Sequence, residues 1–324
     1  MIEEPAGWWW RPRTRASSVE AVKVRIGIGS LPTESGRAAV GPGFDELVDA
    51  LEERDVDSLW LPDLVSTDAV DALVGLAYAA GRTRTLKIGT GVLVLPGRNP
   101  MLVASQLASL AALAPKRILP AFGVRPARGR ERQLYPVPDG QRAAVFEEAL
   151  VVVRRLLDEP RVTHHGAFFH LDDASVGPRP PGRLDLWLGG RAPVGLDRIG
   201  RLADGWLGSF VTPDEAADCR SRIERAAAAA GREIEEDHYG TNLAVVPPEA
   251  TEEQVAAALA GSLDRRPDMD PEQLVVRGWE QARKRIGQYV DAGLTKFVVR
   301  PATPVASWRG FLDQFVEELQ VLEN

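Results

Sequence analysis

Short apolar runs separated by helical patterns recur along this chain, and their number constrains the fold more than any other feature. Eight runs have the length and composition of buried strands: VRIGIG (24–29), SLWLP (58–62), LKIGTGVLVL (86–95), RILPAFGV (117–124), LDLWLG (184–189), GWLGSFV (205–211), TNLAVV (241–246) and TKFVVR (295–300). Because most are near-continuous in apolar residues, the pattern indicates a parallel sheet covered by helices. Eight strand–helix units are enough for such a sheet to close. We therefore predict an α/β fold, a (β/α)8 TIM barrel.

Helical periodicity fills the stretches between the runs. Apolar residues recur along one helical face in three of these stretches: Phe44, Leu47, Val48 and Leu51; Phe146, Leu150, Val153 and Leu157; Trp308, Phe311, Leu312, Phe315 and Leu319. Thr212 with Glu215, and Thr251 with Gln254, have the spacing of capping boxes that start helices. Residues 158–184 exceed an ordinary connection, and we expect VTHHGAFFHL (162–171) to form a hairpin inserted before the fifth strand.

The N-terminal 22 residues differ from the rest of the chain. They contain Trp8-Trp9-Trp10 and several arginines, without the continuous apolar core of a signal peptide. We expect residues 1–22 to form an arm that is flexible or lies on the barrel surface, with a subunit contact through the tryptophans as the alternative. Residues 23–324 are predicted to form a single barrel domain.

Charge and composition exclude several classes of partner. The 46 acidic and 39 basic residues give a net charge of −7 without a basic block, which argues against nucleic acid. No apolar run is long enough for a membrane span. The single cysteine, Cys219, excludes an internal disulfide and favours a reducing, cytoplasmic location. The four histidines have no metal-ligand spacing, so no metal is expected.

The third apolar run contains two glycines, although glycine weakens the packing of a buried strand. It reads IGTGVLVLPGRNP over 88–100 and places Gly89 and Gly91 near its start. Glycine inside a strand marks either a bulge or a place where another group approaches the backbone closely. Both alternatives remain open from the residues alone.

Several stretches together resemble the luciferase-like monooxygenase family: SLWLPDL, IGTGVLVLPGRNP followed by ASQLASLAAL, WLGGR followed by GRLADGWLGSFVTPDE, and YVDAGLTKFVV. The resemblance runs from about Val24 to the C-terminus. Within the family the chain looks most like the oxidoreductases that use the deazaflavin coenzyme F420 rather than FMN. This resemblance implies hydride transfer between F420 and a small organic substrate, and a homodimer that associates through helices near the first strands.

The resemblance implies a ring-binding bulge in the third strand. In deazaflavin-using members a non-proline cis peptide at this bulge backs the ring, and it falls here at Gly91–Val92. The alternative is a glycine at an ordinary barrel bulge.

A second group of cofactor contacts is implied at the fifth and sixth strands. The Gly189-Gly190-Arg191 turn, with Leu188 before it, is expected to open a helix and hold the cofactor's phosphate, and Ser209 to add a second contact. The glycines could instead serve only a tight turn. Arg125 and Arg300, at the ends of strands four and eight, are candidates for anion contact or for plain salt bridges.

The chain departs from the family where acid–base chemistry is usual. Many members end strand two with Asp-His, whereas this chain has Asp63-Leu64 on the substrate side. A glutamate that some members place beyond strand four is also missing at Val124–Ala127. If Leu64 faces the ring, the alternation of a strand turns Asp63 away. We therefore assign no catalytic residue and expect solvent or a substrate group to supply the proton.

The predicted function is that of an F420-dependent oxidoreductase with an unidentified small-molecule substrate. Two alternatives remain. One is an FMN-dependent monooxygenase supplied with reduced flavin by a partner reductase. The other is a cofactor-binding protein without catalysis, which the loss of the usual histidine favours and the intact Gly189-Gly190 turn opposes.

Overall fold

A computed structural model describes residues 23–30, 43–67, 69–126 and 128–324. The predicted N-terminal arm, residues 1–22, lies outside the described residues. The strands are β1 (Arg25–Gly29), β2 (Ser58–Leu61), β3 (Lys87–Thr90), β4 (Leu93–Val94), β5 (Ile118–Leu119), β6 (Ala121–Gly123), β7 (Val162–His165), β8 (His170–Ala174), β9 (Trp187–Gly189), β10 (Gly205–Gly208), β11 (Tyr239–Val246), β12 (Val275–Arg277) and β13 (Lys296–Pro301).

The α-helices of the described residues alternate with these strands. They are α1 (Phe44–Glu53), α2 (Ala72–Arg82), α3 (Pro100–Leu113), α4 (Arg142–Asp158), α5 (Pro193–Leu202), α6 (Pro213–Ala229), α7 (Glu252–Leu263), α8 (Gly278–Asp291) and α9 (Trp308–Glu318). Short 3-10 turns cover Gly129–Leu134, Pro271–Gln273 and Gln320–Leu322. None of the described helices is long and apolar enough to cross a membrane.

The parallel strand pairs form a closed ring. β1 pairs with β13 and β2, and the pairing continues from β13 through β11, β10 and β9 to β6. On the other side β2 pairs with β3 and β3 with β5, while β4 pairs with β6. Since β3 continues into β4 and β5 into β6, these segments are halves of the third and fourth barrel strands. The predicted (β/α)8 barrel is confirmed.

The bulge that interrupts the third strand was predicted, whereas the break in the fourth strand and one extra strand were not. The third strand breaks at Gly91–Val92, and the fourth breaks at Pro120, which has no N–H for the ladder. The Thr90 hydroxyl bridges this gap, since Oγ1 donates to Ala121 O (2.8 Å) and accepts from Ala121 N (2.9 Å). The extra strand β12 pairs with the end of β11.

Two apolar layers hold the barrel together. Inward-facing side chains form a small cluster inside the ring: Trp60, Ala121, Trp187, Leu207 and Val298. A larger cluster lies between the ring and the helices, and it buries the helical faces predicted from periodicity. The predicted capping boxes at Thr212 and Thr251 are both present and reciprocal.

A group of ion pairs lies at the N-terminal end of the barrel. Asp57 forms ion pairs with Lys296 and with Lys87 (2.8 Å), and the side chains of Asp57 and Lys296 are almost fully shielded. Burial alone would raise the pKa of Asp57, but the two lysines hold it well below its ordinary value. These charges therefore stabilise the end of the barrel opposite to the usual active-site end.

The predicted insertion before the fifth barrel strand is a hairpin in which β7 and β8 pair antiparallel. Its turn is held by Glu148 of α4, whose carboxylate accepts hydrogen bonds from the backbone N–H groups of Ala167, Phe168 and Phe169. The same carboxylate contacts His164 (3.2 Å), and His165 pairs with Asp172 on the exposed side. Both histidines therefore serve the hairpin rather than the barrel mouth.

Candidate functional site

The C-terminal ends of the barrel strands form a mouth whose floor is apolar. Trp60, Leu207 and Val298 of the inner cluster lie beneath it, and Val92 packs onto them from the third strand while remaining partly exposed. In (β/α)8 barrels this end carries the chemistry. The mouth is therefore the candidate site.

The bulge in the third strand places Val92 in this mouth. The Gly91–Val92 peptide is cis, as predicted. Gly91 N donates to Leu61 O (2.8 Å) and Asp63 N donates to Val92 O (3.4 Å), so the bulge is tied to the end of β2. A Cβ on Gly123 would lie 2.5 Å from one methyl of Val92, and a Cβ on Gly189 would lie 2.8 Å from the other. Glycine on the two neighbouring strands is thus what leaves room for the Val92 side chain.

The turn after the fifth barrel strand exposes backbone. Gly190 is exposed and has φ +134°, a conformation that side chains disfavour, and its carbonyl accepts from Trp206 Nε1 (2.8 Å). The expectation that Gly189-Gly190-Arg191 opens a helix is wrong in detail, because α5 begins only at Pro193. Pro193 has no N–H, so the unbonded donors of the first turn lie at Val194 and Gly195.

The neighbours of this turn differ in the direction of their side chains. Leu188 packs in the outer cluster, so only its backbone borders the mouth. Ser209 is half-buried, and its hydroxyl accepts from Asn242 Nδ2 (2.7 Å). Asn242 pairs in register with Val298 of the inner cluster, which places Ser209 and Asn242 together at the mouth. Sequence reasoning missed Asn242 because a lone asparagine within a strand carries no motif.

Arginines surround the rim of the mouth. Arg125 is exposed at the end of the fourth strand. Burial lowers the pKa of Arg142, and the positive charges of Arg125 and Arg132 lower it further. Arg191 is exposed and donates to the backbone carbonyl of Arg265 (3.2 Å). Arginines therefore stand at the rim after strands four and five, where they can contact an anionic ligand.

Asp63 and Leu64 follow the end of β2 and differ in burial. The Asp63 side chain is 1% exposed and forms an ion pair with Arg98 (2.9 Å). It also accepts from Val94 N (3.0 Å). Leu64 is half-buried and is not part of the outer hydrophobic cluster of the described residues. Asp63 therefore acts as a structural anion at this site.

Arg98 and Tyr135 form an anchor together with Asp63. Sequence reasoning missed both residues. Arg98 lies over the Tyr135 ring, 5.4 Å from its centroid, so the loops after strands two, three and four are joined around one ion pair. Burial raises the pKa of Tyr135, and Asp63 raises it further. Tyr135 stays neutral as a result, and the P-G-R-N-P stretch at 96–100 was the only signal for this anchor.

Glu131 is a further buried carboxylate close to the mouth. Its Oε1 accepts from the N–H (3.1 Å) and the hydroxyl (2.7 Å) of Ser66, two residues beyond Leu64. Its Oε2 is shielded from solvent and has no hydrogen-bond partner in the described residues. This contact ties the loop after strand four to the loop after strand two.

A possible metal group lies elsewhere. Glu235, Asp237 and His238 come together just before β11, at the N-terminal end of the barrel. His238 Nδ1 is engaged with Asp204 O (2.7 Å). The group is therefore remote from the mouth and contributes nothing to its chemistry.

Comparison with known proteins shows what this chain is similar to. The F420-dependent glucose-6-phosphate dehydrogenase of Kineococcus radiotolerans is 32% identical over 164 residues, covering 48% of this chain and 49% of that protein. The chain thus spans about half the length of the first curated relatives that it matches.

Two solved structures share the fold at lower identity. The monooxygenase RslO1 of Streptomyces bottropensis superposes with a TM-score of 0.78 and 20% identity, covering 92% of this chain and 99% of that one. An F420-dependent secondary alcohol dehydrogenase in complex with an F420-acetone adduct gives 0.77 and 20%, covering 93% and 100%. The profile of the luciferase-like monooxygenase family matches residues 27–300. The chain belongs to the luciferase-like monooxygenase family.

Proposed function

We propose that this protein is an F420-dependent oxidoreductase that transfers hydride between the deazaflavin and a small organic substrate. The observation that carries the proposal is the apolar floor of Val92, Trp60 and Leu207, bordered by the open backbone at Gly190. A flat ring needs an apolar surface to lie on, and the anionic side chain of the cofactor needs hydrogen-bond donors beside that surface. The F420-dependent relative and structural neighbour support the choice of cofactor.

The residues of the mouth fit such a cofactor. A Cβ placed on Gly190 would meet no atom within 4 Å, so the turn is open to a ligand. Ser209 Oγ and the N–H groups at the start of α5 are available to a phosphate. Arg191 and Arg125 add positive charge on either side.

F420, when bound, accepts or donates hydride at C5 of its ring. The chain's own contribution is to support the ring on Val92, to hold the phosphate at the Gly189–Gly190 turn and to close water out with the loops after strands two to four. The Asp63–Arg98 ion pair and the Ser66–Glu131 contact fix those loops. Leu64, half-buried beside the anchored Asp63, adds apolar surface where other members have histidine. The reaction then needs a proton from solvent or from the substrate.

A replacement at Gly190 tests this proposal. Gly190→Leu fills the open turn and should abolish F420 binding while the protein still unfolds cooperatively. Gly231→Leu is a matched control, because Gly231 also has a positive φ (+67°) with free space around it but lies at the end of α6. F420 affinity that is unchanged in Gly190→Leu would contradict the site.

The proposed assembly is a homodimer in the cytoplasm. Helix α3 is apolar on nearly every side, and Leu102 and Leu113 are 63% and 77% exposed. Val74 of the adjacent α2 is 64% exposed. Exposed apolar side chains grouped in this way favour a contact with a second copy. The single cysteine, Cys219, is buried, and a chain that depends on no internal disulfide suits a reducing compartment.

A further inference from the structure

Arg300 enters the barrel mouth from the end of β13. It lies two residues beyond Val298 of the inner cluster, so both side chains face the inside of the ring. A Cβ placed on Gly29 would lie 3.0 Å from Val298 Cγ1 and 3.4 Å from the Cβ of Arg300. The glycine at the end of β1 thus leaves space beside the Arg300 side chain.

The guanidinium of Arg300 has no negative partner in the described parts of the chain. Its Nε is shielded from solvent without a hydrogen-bond partner, and the group lies over the Phe210 ring, 5.2 Å from the centroid. The neighbouring charge that acts on Arg300 is the positive charge of Arg265. Burial, together with Arg265, lowers the pKa of Arg300 to about 10, so the group still carries its charge at neutral pH.

Several other shielded arginines of this protein are neutralised by carboxylates. Examples are Arg98 with Asp63, Arg198 with Glu147, Arg232 with Asp204, and Arg266 with Glu215 and Asp268. Arg300 is partly buried. A partly buried charge without a partner costs stability, and a second like charge nearby adds to that cost. Such an arrangement is expected where a ligand supplies the missing negative charge.

The position of Arg265 relates this charge to the cofactor side of the mouth. Arg265 follows α7, and its backbone carbonyl accepts from Arg191, which belongs to the turn after the fifth strand. Arg265 therefore lies between Arg191 of the proposed phosphate turn and Arg300 at the end of the eighth strand. The planar fork of Arg300 suits a carboxylate or a phosphate.

We propose that Arg300, with Arg265 beside it and Phe210 beneath it, forms an oxyanion-binding subsite at the barrel mouth. It binds a carboxylate or phosphate group. That group belongs either to the substrate or to the anionic side chain of F420, an assignment that rests on the proposed function, whereas the subsite itself does not.

Calorimetric titration of the full chain with inorganic phosphate, at constant ionic strength, tests the subsite. Arg300→Gln should weaken phosphate binding by about tenfold or more, because it removes a charge-assisted contact. Arg225→Gln is the control, since it removes one exposed charge from the outer face of α6. Should Arg300→Gln fail to fold, Arg265→Gln is expected to weaken phosphate binding in the same direction. No phosphate binding by the wild type, or equal loss in the Arg225 control, would overturn the proposal.

Titration with F420 in the presence and absence of phosphate identifies the source of the anion. If the cofactor supplies it, phosphate competes with F420 and Arg300→Gln weakens F420 binding. If the substrate supplies it, the F420-saturated protein still binds phosphate, and Arg300→Gln leaves F420 affinity unchanged. Phosphate binding at Arg300 in a protein that binds no F420 would refute the proposed function and leave the subsite standing.

Discussion

Asp63 accepts three hydrogen bonds while it is almost completely buried: one from Val94 N and two from Arg98 Nη2. A carboxylate so placed leaves almost no surface for contact with a ligand in the mouth. Its neighbour Leu64 faces a different environment, and leucine has no proton to give. The position that carries acid–base chemistry in many family members is thus filled here by a structural anion and an apolar side chain.

Replacement of Asp63 should therefore affect stability rather than chemistry. Asp63→Asn leaves Arg98 without its partner and should lower the free energy of unfolding by about 3 kcal/mol. Asp49→Asn, which breaks the exposed pair with Arg82, should cost less than about 1 kcal/mol. F420 reduction per folded molecule, with any substrate the wild type accepts, should stay nearly intact, and Leu64→His should retain F420 binding.

Urea denaturation and stopped-flow reduction of F420 measure the two effects separately. Loss of F420 reduction in Asp63→Asn, with the variant still folded, would show that Asp63 takes part in the chemistry.

Strands and helices were predicted well where their signal is local. The eight apolar runs, the three helical faces, both capping boxes and the inserted hairpin depend on neighbouring residues, and each is present. The fourth strand breaks at Pro120 because proline has no N–H for the ladder, and the third strand breaks at the Gly91–Val92 bulge. The periodicity of apolar residues marks neither break. The start of α5 at Pro193 was misplaced because a glycine pair indicates a turn without indicating its length.

The candidate site was predictable only where a motif marked it. The cis peptide at Gly91–Val92 followed from the family resemblance. The Asp63–Arg98–Tyr135 anchor and the Ser66–Glu131 contact join loops that are far apart in sequence. Apart from the P-G-R-N-P stretch at 96–100, the sequence carries no signal that pairs these residues.

The ion pairs at the N-terminal end of the barrel predict how the free energy of unfolding depends on pH. The folded pKa of Asp57 lies below its ordinary value of 3.8, so Asp57 stabilises the fold above that pH. This stabilisation is lost as pH falls through the folded pKa. Asp57→Asn should lower the free energy of unfolding at pH 7 by about 3–5 kcal/mol, because it leaves Lys296 buried without its partner.

Urea denaturation of wild type and Asp57→Asn over a pH series measures this linkage. The difference between the two proteins should be constant above pH 5 and should shrink below the ordinary pKa of 3.8. A difference that grows as the pH falls would contradict the assigned role of Asp57.

The exposed apolar surface of α2 and α3 bears on the assembly of the protein. We expect a light-scattering mass of twice the 35.2 kDa chain. A double replacement, Leu102→Asp with Leu113→Asp, should place charges in the interface and give single chains. Leu263→Asp, on the separate helix α7, should leave the mass unchanged. A wild-type mass near 35.2 kDa would refute the dimer.

The central claim is that the barrel mouth holds a deazaflavin ring rather than FMN. Fluorescence titration of the full chain with F420 and with FMN, under identical buffer conditions, tests it most directly. The Val92 floor and the arginines of the rim predict saturable binding at one ring per chain, and the similarity to an F420-dependent relative predicts that F420 binds and that FMN binds far more weakly. Tight binding of FMN together with undetectable binding of F420 would contradict the proposed function.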